Sequence, residues 1–206
     1  MVLSKQKITI LIVGVAIVVV AIVRLILSPS AGSIDAVAAR TQGPAQARVN
    51  IVEFLDFECP ACAKGAMEIK EYLTKHPGDI HLQIKYFPLM NMHRHALQVA
   101  SYAECVSRQG KFWPFFDTLM PLQSQWSPLF SAEAIFDQIA GQAGVDMAKL
   151  RACVSSEDVP TTIMNEKSLG ISLGVKSTPT YFINNKMVVG YKSLVEELNK
   201  YFPQDK

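Results

Sequence analysis

The chain has little charge to spare and few side chains that ligate metals. Of its 206 residues 18% are charged, and 20 Lys and Arg nearly balance 18 Asp and Glu for a net charge of +2. Basic and acidic residues are interspersed, without the single-sign clustering of a nucleic-acid footprint. There are four histidines and four cysteines. His93 and His95 lie two apart and share no helix face, and no neighbouring carboxylate completes a metal set, so they read as surface or helix-start residues. Cys59 and Cys62 form a Cys-x-x-Cys pair, but Cys105 and Cys153 lack the second paired spacing of a structural zinc site. Ala63 stands where covalent haem attachment requires histidine. The sequence therefore calls for no metal, no cofactor and no nucleic acid, and a monomer is expected.

What is present is a redox motif in a suggestive setting. An apolar, β-prone run from Val49 to Phe57 feeds into Cys59-Pro60-Ala61-Cys62, and an amphipathic stretch with Met67, Ile69, Tyr72 and Leu73 follows. Strand, Cys-x-x-Cys and helix in that order place Cys59 at a helix N-terminus. There unsatisfied N–H groups and the macrodipole favour a thiolate. Pro60 suits the first helical position, where its missing N–H costs nothing. Since the thiolate is the reacting species, Cys59 is the expected nucleophile and Cys62, one turn in, the resolving thiol. Pairing these neighbours leaves Cys105 and Cys153 for a structural bridge; the alternative is two buried free thiols.

Half of the residues are hydrophobic, enough for one sizeable domain plus an appendage. The appendage is N-terminal. Residues 8–27 are an apolar run broken only by Arg24, and about 20 residues at helical rise span ~30 Å, the thickness of a bilayer core. Lys5 and Lys7 precede the run and Arg24 can snorkel at its outer end, so the rest of the chain should be exported. Residues 1–27 are thus expected to be a cytoplasmic tip and single-pass signal-anchor of a bacterial inner membrane, with the domain on the periplasmic side. The rival is a cleaved signal peptide and a soluble periplasmic protein, since Ala36-Val37-Ala38 resembles a cleavage site. Residues 28–47, rich in Ser, Pro, Gly and Ala, have linker composition and read as a flexible tether. The domain proper is expected over 48–204.

Within it, Val49 to Phe57 is the first strand, nearly continuously apolar as a central strand should be. The helix after Cys59 should stop at His76-Pro77-Gly78, and residues 80–87 form the next strand, parallel to the first across a βαβ crossover. From about residue 95 to 173 helical signals recur. They include an aromatic cluster around Trp113 expected in the core, a helix capped by Ser131 and another capped by Asp146. Residues 180–183 and 186–189 flank Asn184-Asn185 as a β-hairpin, and Ser193 to Phe202 closes the chain as an amphipathic helix.

This order of parts resembles the DsbA-like thiol:disulfide oxidoreductases. The resemblance runs from about Arg48 to Phe202. It is carried by Glu53-Phe54 through Cys62, Phe87-Pro88-Leu89, Gln109-Gly110-Lys111-Phe112-Trp113, and Gly174-Val175 through Phe182, which includes Thr178-Pro179-Thr180. It implies an α/β thioredoxin-like fold with an α-helical insertion. It also implies that Pro179 is a cis-proline facing the active-site disulfide, able to present backbone groups to a substrate peptide. Glu53 matches the family's buried acid and Lys85 on the neighbouring strand its suggested partner. Such a pair could take up or pass the proton of Cys62, whereas a Glu53 pointing outward would do nothing.

Two departures moderate the likeness. The inter-cysteine pair is Pro60-Ala61 where the best-known DsbA has Pro-His, and Thr178 stands where that protein has Val. Alanine supplies no charge to the thiolate and a hydroxyl can hydrogen-bond a sulfur, so a potential less oxidising than the ~−120 mV of DsbA is expected. The resulting expectation is an extracytoplasmic dithiol oxidase acting on exported proteins with cysteines and served by a membrane redox partner of unknown identity. A reductase or isomerase with the same site is the alternative within the class. A membrane-tethered, chaperone-like binding module with a merely structural disulfide is the alternative outside it.

Overall fold

The computed structural model describes residues 36–203. Val49–Leu55 forms the central strand, β2, of a five-stranded sheet; the ladder ends two residues short of Phe57, where the chain turns toward Cys59. Helix α2 (Pro60–Lys75) crosses back to β3 (Ile80–Tyr86), which pairs parallel with β2 from Val49↔Ile80 to Leu55↔Tyr86. A short helix α1 (Ala36–Ala39) precedes the two-residue edge strand β1 (Thr41–Gln42), antiparallel to β3. On the other side of β2 run β4 (Thr180–Ile183) and β5 (Lys186–Val189), giving the order β1-β3-β2-β4-β5. Asn184 and Asn185 turn the hairpin with φ of 45° and 69°, a conformation that asparagine tolerates better than most residues.

Between β3 and β4 six helices are inserted: α3 (Ala96–Ser107), α4 (Phe112–Leu119), α5 (Gln123–Trp126), α6 (Glu133–Gln142), α7 (Met147–Val154) and α8 (Asp158–Ser172). Helix α9 (Tyr191–Tyr201) closes the fold. Asp146 caps α7 by accepting from the amides of Ala148 and Lys149, whereas α6 begins at Glu133 without a side-chain cap, so Ser131 does not serve as one. The disulfide Cys105–Cys153 ties α3 to α7 across 48 residues, a loop whose closure is worth about 4 kcal/mol in the chain-entropy model. Trp126 is the wholly buried tryptophan; Trp113 is half-buried and donates its indole N–H to the Thr41 carbonyl.

The sheet is covered on both faces, as its apolar central strand requires. Ile51 and Leu55 pack with α2, β3 and the insertion, while Phe54, on the opposite face, joins Phe87 and Val175 under α8.

The N-terminal segment departs from its linker composition. The expected span 8–27 and the first part of the expected tether lie outside the described residues; among the described residues no helix is long and apolar enough to cross a membrane. Residues 36–47, assigned above to the tether, are part of the folded domain, and the Ala36-Val37-Ala38 run is its first helix. The physical reason is Arg40, fully buried. Its guanidinium meets Glu166 of α8 through two bonds of 2.9 and 3.0 Å, donates to the Ile84 carbonyl at 3.0 Å and stacks 4.1 Å over the Tyr86 ring. Glu166 also accepts from the Tyr86 amide and from Lys85. Burial alone would raise the Glu166 carboxyl, but these partners hold it below its ordinary value. A buried bidentate pair of this kind costs far more when one member is removed than when both are replaced. Arg40→Ala should therefore lower the free energy of urea unfolding by about 3–5 kcal/mol. An unchanged midpoint would return residues 36–42 to the tether.

Candidate active site

The turn between β2 and α2 sets the positions of both sulfurs. The Asp56 carboxylate accepts from the Glu58 amide at 2.8 Å, and the Cys59 amide donates to the Asp56 carbonyl. Cys59 is the N-cap of α2 in an extended conformation (φ −74°, ψ 120°), with Pro60 in the first helical turn. Its carbonyl accepts from the Cys62 and Ala63 amides, the first bonds of the helix. Both cysteines are free thiols, Cys59 8% exposed and Cys62 fully buried. The two therefore differ sharply. A hydrogen bond from Cys62 is the largest influence on Cys59 and outweighs burial; with the Thr178 side chain and the amides of Cys62 and Ala61 it lowers the Cys59 thiol to about 5. Burial, and then the neighbouring Cys59, push Cys62 well above an ordinary thiol.

The loop before β4 lies against Cys59. The Thr178–Pro179 bond is cis, and the Cys59 sulfur is 3.5 Å from the Thr178 carbonyl. The Thr178 hydroxyl is buried without another hydrogen-bond partner in the described residues, which leaves it available to the sulfur. The Pro179 carbonyl is taken by the Gly190 amide.

Glu53 lies beneath the pair. It is 1% exposed, and neither carboxylate oxygen has a hydrogen-bond partner of good geometry in the described residues. Its cross-strand neighbour is Tyr181, whose buried hydroxyl packs at Gly65 of α2; any side chain at Gly65 would collide with it. Burial raises the Glu53 carboxyl to about 8, the nearby Tyr181 hydroxyl opposing and Cys59 adding to the shift. Glu53 also borders a cavity of about 60 Å³ between α2 and α4, whose outer wall includes the Lys70–Asp117 ion pair. That is room enough for water beside the acid.

Lys85 does not join this group. The register sets Glu53 opposite Ile84 and Lys85 opposite Phe54, so the two side chains leave the sheet on opposite faces. Lys85 instead reaches Glu166 at 3.1 Å. The expected Glu53–Lys85 pair is thus replaced by a buried acid that has no cation paired with it among the described residues.

Several residues around the pair escaped sequence reasoning. Asp56 also accepts from the Leu89 amide and His93, and Glu58 accepts from the His95 amide at 2.6 Å, so two acids bind the loop after β3 to the redox turn. His95 is at a helix start but buried, with its ring on the Leu129 carbonyl. Two acids within three residues of Cys59 were a usable signal. For Gln123, which donates to the Cys59 carbonyl from 64 residues away, local sequence offers none.

The thioredoxin family model Thioredoxin_4 matches residues 35–201. Among solved structures, alpha-DsbA1 of Wolbachia pipientis superposes with a TM-score of 0.65 at 20% identity, over 88% of this chain and 96% of its own. A thioredoxin-like oxidoreductase of Silicibacter pomeroyi DSS-3 gives 0.64 at 23% identity, over 79% and 91%. At such identities the likeness is one of fold. Among curated proteins, the Na(+)/H(+) antiporter NhaA 3 of Salinispora tropica is 27% identical over 169 residues, which are 79% of this chain and 25% of the antiporter. The chain spans about a quarter of the length of the curated relatives it matches, and antiport is named for those proteins as wholes.

The buried acid has a measurable signature. Below pH 4.5, the ordinary carboxyl value, folded and unfolded chains both hold the Glu53 proton. Between there and about 8 the unfolded chain releases it and the folded chain keeps it, so Glu53 costs stability that grows with pH through that window. Glu53→Gln should stabilise the reduced protein at pH 7 by about 2–3 kcal/mol in denaturant unfolding, with the gain vanishing toward pH 4. A gain independent of pH would mean that Glu53 is ionised in the folded state.

Proposed function

The chain belongs to the thioredoxin family, and from that premise we propose that it is a DsbA-like thiol:disulfide oxidoreductase, a dithiol oxidase of exported proteins working through Cys59 and Cys62. The observation that carries the proposal is the contrast between the two sulfurs, one low at about 5 and the other well above an ordinary thiol. A stabilised Cys59 thiolate makes the dithiol form of the pair more stable, which makes its disulfide the stronger oxidant.

In the oxidised enzyme a substrate thiolate attacks the Cys59 sulfur. A mixed disulfide forms, the Cys59–Cys62 bond breaks, and its electron pair leaves on Cys62. That buried thiolate is the worst placed charge in the site, and Glu53, a neutral acid at pH 7, is the group positioned to protonate it. A second substrate thiolate then attacks the substrate sulfur of the mixed disulfide and expels Cys59, the sulfur best able to hold the charge. Two substrate thiols have become a disulfide and the enzyme pair a dithiol, which a membrane redox partner reoxidises. Thr178 and Pro179 line the Cys59 side, where the substrate sulfur arrives.

The Cys105–Cys153 bridge supports an oxidising, extracytoplasmic compartment, and the apolar run 8–27 supports a single-pass anchor that holds the domain, read as a monomer, on the outer side of the membrane. A reductase would use the same site with the opposite net flow; the low Cys59 value argues for the oxidase. The test is trapping. Cys62→Ala should accumulate a reducible covalent adduct with unfolded exported proteins, and Cys59→Ser should form none and lose oxidation of reduced substrates. Full activity of Cys59→Ser would instead make the chain a binding module with a structural cysteine pair.

A further inference from the structure

The redox turn is gripped from the helical insertion by one side chain. Gln123, 6% exposed at the start of α5, donates both protons of its amide nitrogen, to the Phe57 carbonyl at 2.7 Å and to the Cys59 carbonyl at 2.9 Å. Helix α5 is firmly seated: Trp126 is fully buried, donates its indole N–H to the Leu119 carbonyl at 3.0 Å and packs 5.2 Å from the Phe136 ring. A rigid element therefore reaches the turn that carries the nucleophile, through bonds between atoms 66 and 64 residues apart.

We propose that Gln123 is a positioning residue for the redox pair: it holds the Phe57 and Cys59 carbonyls and so keeps Cys59 in the extended N-cap conformation from which its sulfur meets the start of α2. The inference rests on the oxidoreductase reading and adds to it a role for the insertion. Two physical effects combine. The Cys59 carbonyl already accepts from the Cys62 and Ala63 amides, and the Gln123 bond adds an anchor from outside the helix to the extended cap, in which the Ala61 and Cys62 amides meet the sulfur. The Cys59 carbonyl is also a dipole whose negative end lies close to a thiolate. The amide donor on it offsets part of that repulsion, as preorganised donors do wherever charge develops in a site shielded from water.

The prediction separates this role from simple packing. Gln123→Met keeps the volume and removes both donors. It should raise the titration midpoint of the Cys59 thiolate, read by its ultraviolet absorbance in the reduced full-length protein, by roughly half to one unit, the worth of one hydrogen bond. The same loss should move the equilibrium with glutathione toward the enzyme disulfide roughly three- to tenfold. Gln123→Glu, which sets a carboxylate against the same carbonyls, should shift both further. Trp126→Phe weakens the same short helix without touching the turn; it should lower thermal stability and leave the midpoint in place. The proposal is overturned if Gln123→Met titrates like the parent protein, or if Trp126→Phe shifts the midpoint equally. A parent midpoint at 9.0, the ordinary thiol value, would remove the oxidoreductase reading along with it. A low parent midpoint with an unmoved Gln123→Met would remove only the role of Gln123.

Discussion

The constraint on which the site depends is that one negative charge must rest comfortably on Cys59 and nowhere else nearby. The helix start supplies N–H groups, Cys62 and Thr178 supply hydrogen bonds, and no histidine or lysine stands between the cysteines to add a full charge. The outcome, a thiol at about 5, lies between the ~7 of thioredoxin and the ~3.5 of DsbA. Pro60-Ala61 therefore explains a middle position rather than an absence of activation. Polar contacts and backbone dipoles alone carry the value part of the way.

Everything beneath Cys59 disfavours charge. Cys62 and Glu53 are both buried, and the register that puts Glu53 on this face of the sheet sends Lys85 to the other. The acid is thus neutral by desolvation, with Tyr181 and a small cavity as its polar surroundings. In the proposed reaction this neutral acid is the proton donor to the Cys62 thiolate; an acid ionised by a lysine could not be. Helix α4 of the insertion covers this side of the sheet, across the small cavity that Glu53 borders. Beside β3, the Arg40–Glu166 pair ties the N-terminal segment to α8.

How much of this could be read from the chain depended on how local each cause is. The strand–Cys-x-x-Cys–helix unit, the Asn184-Asn185 turn and the Asp146 cap are each dictated by a few adjacent residues, and they stand where patterning put them. Residues 36–47 were misread because their small and polar composition says nothing of a single arginine with partners on two distant elements. The Glu53–Lys85 pairing failed by one residue of register, which in a sheet is the difference between one face and the other. Gln123 lay beyond reach for the same reason as Arg40: its meaning exists only where the chain folds back on itself.

On the proposed reading the pair is an oxidant of intermediate strength, and its equilibrium with glutathione measures that directly. Full-length protein equilibrated across ratios of reduced to oxidised glutathione should show a Cys59–Cys62 potential between about −270 mV and about −120 mV, the values of thioredoxin and DsbA. A potential at or below that of thioredoxin would contradict it.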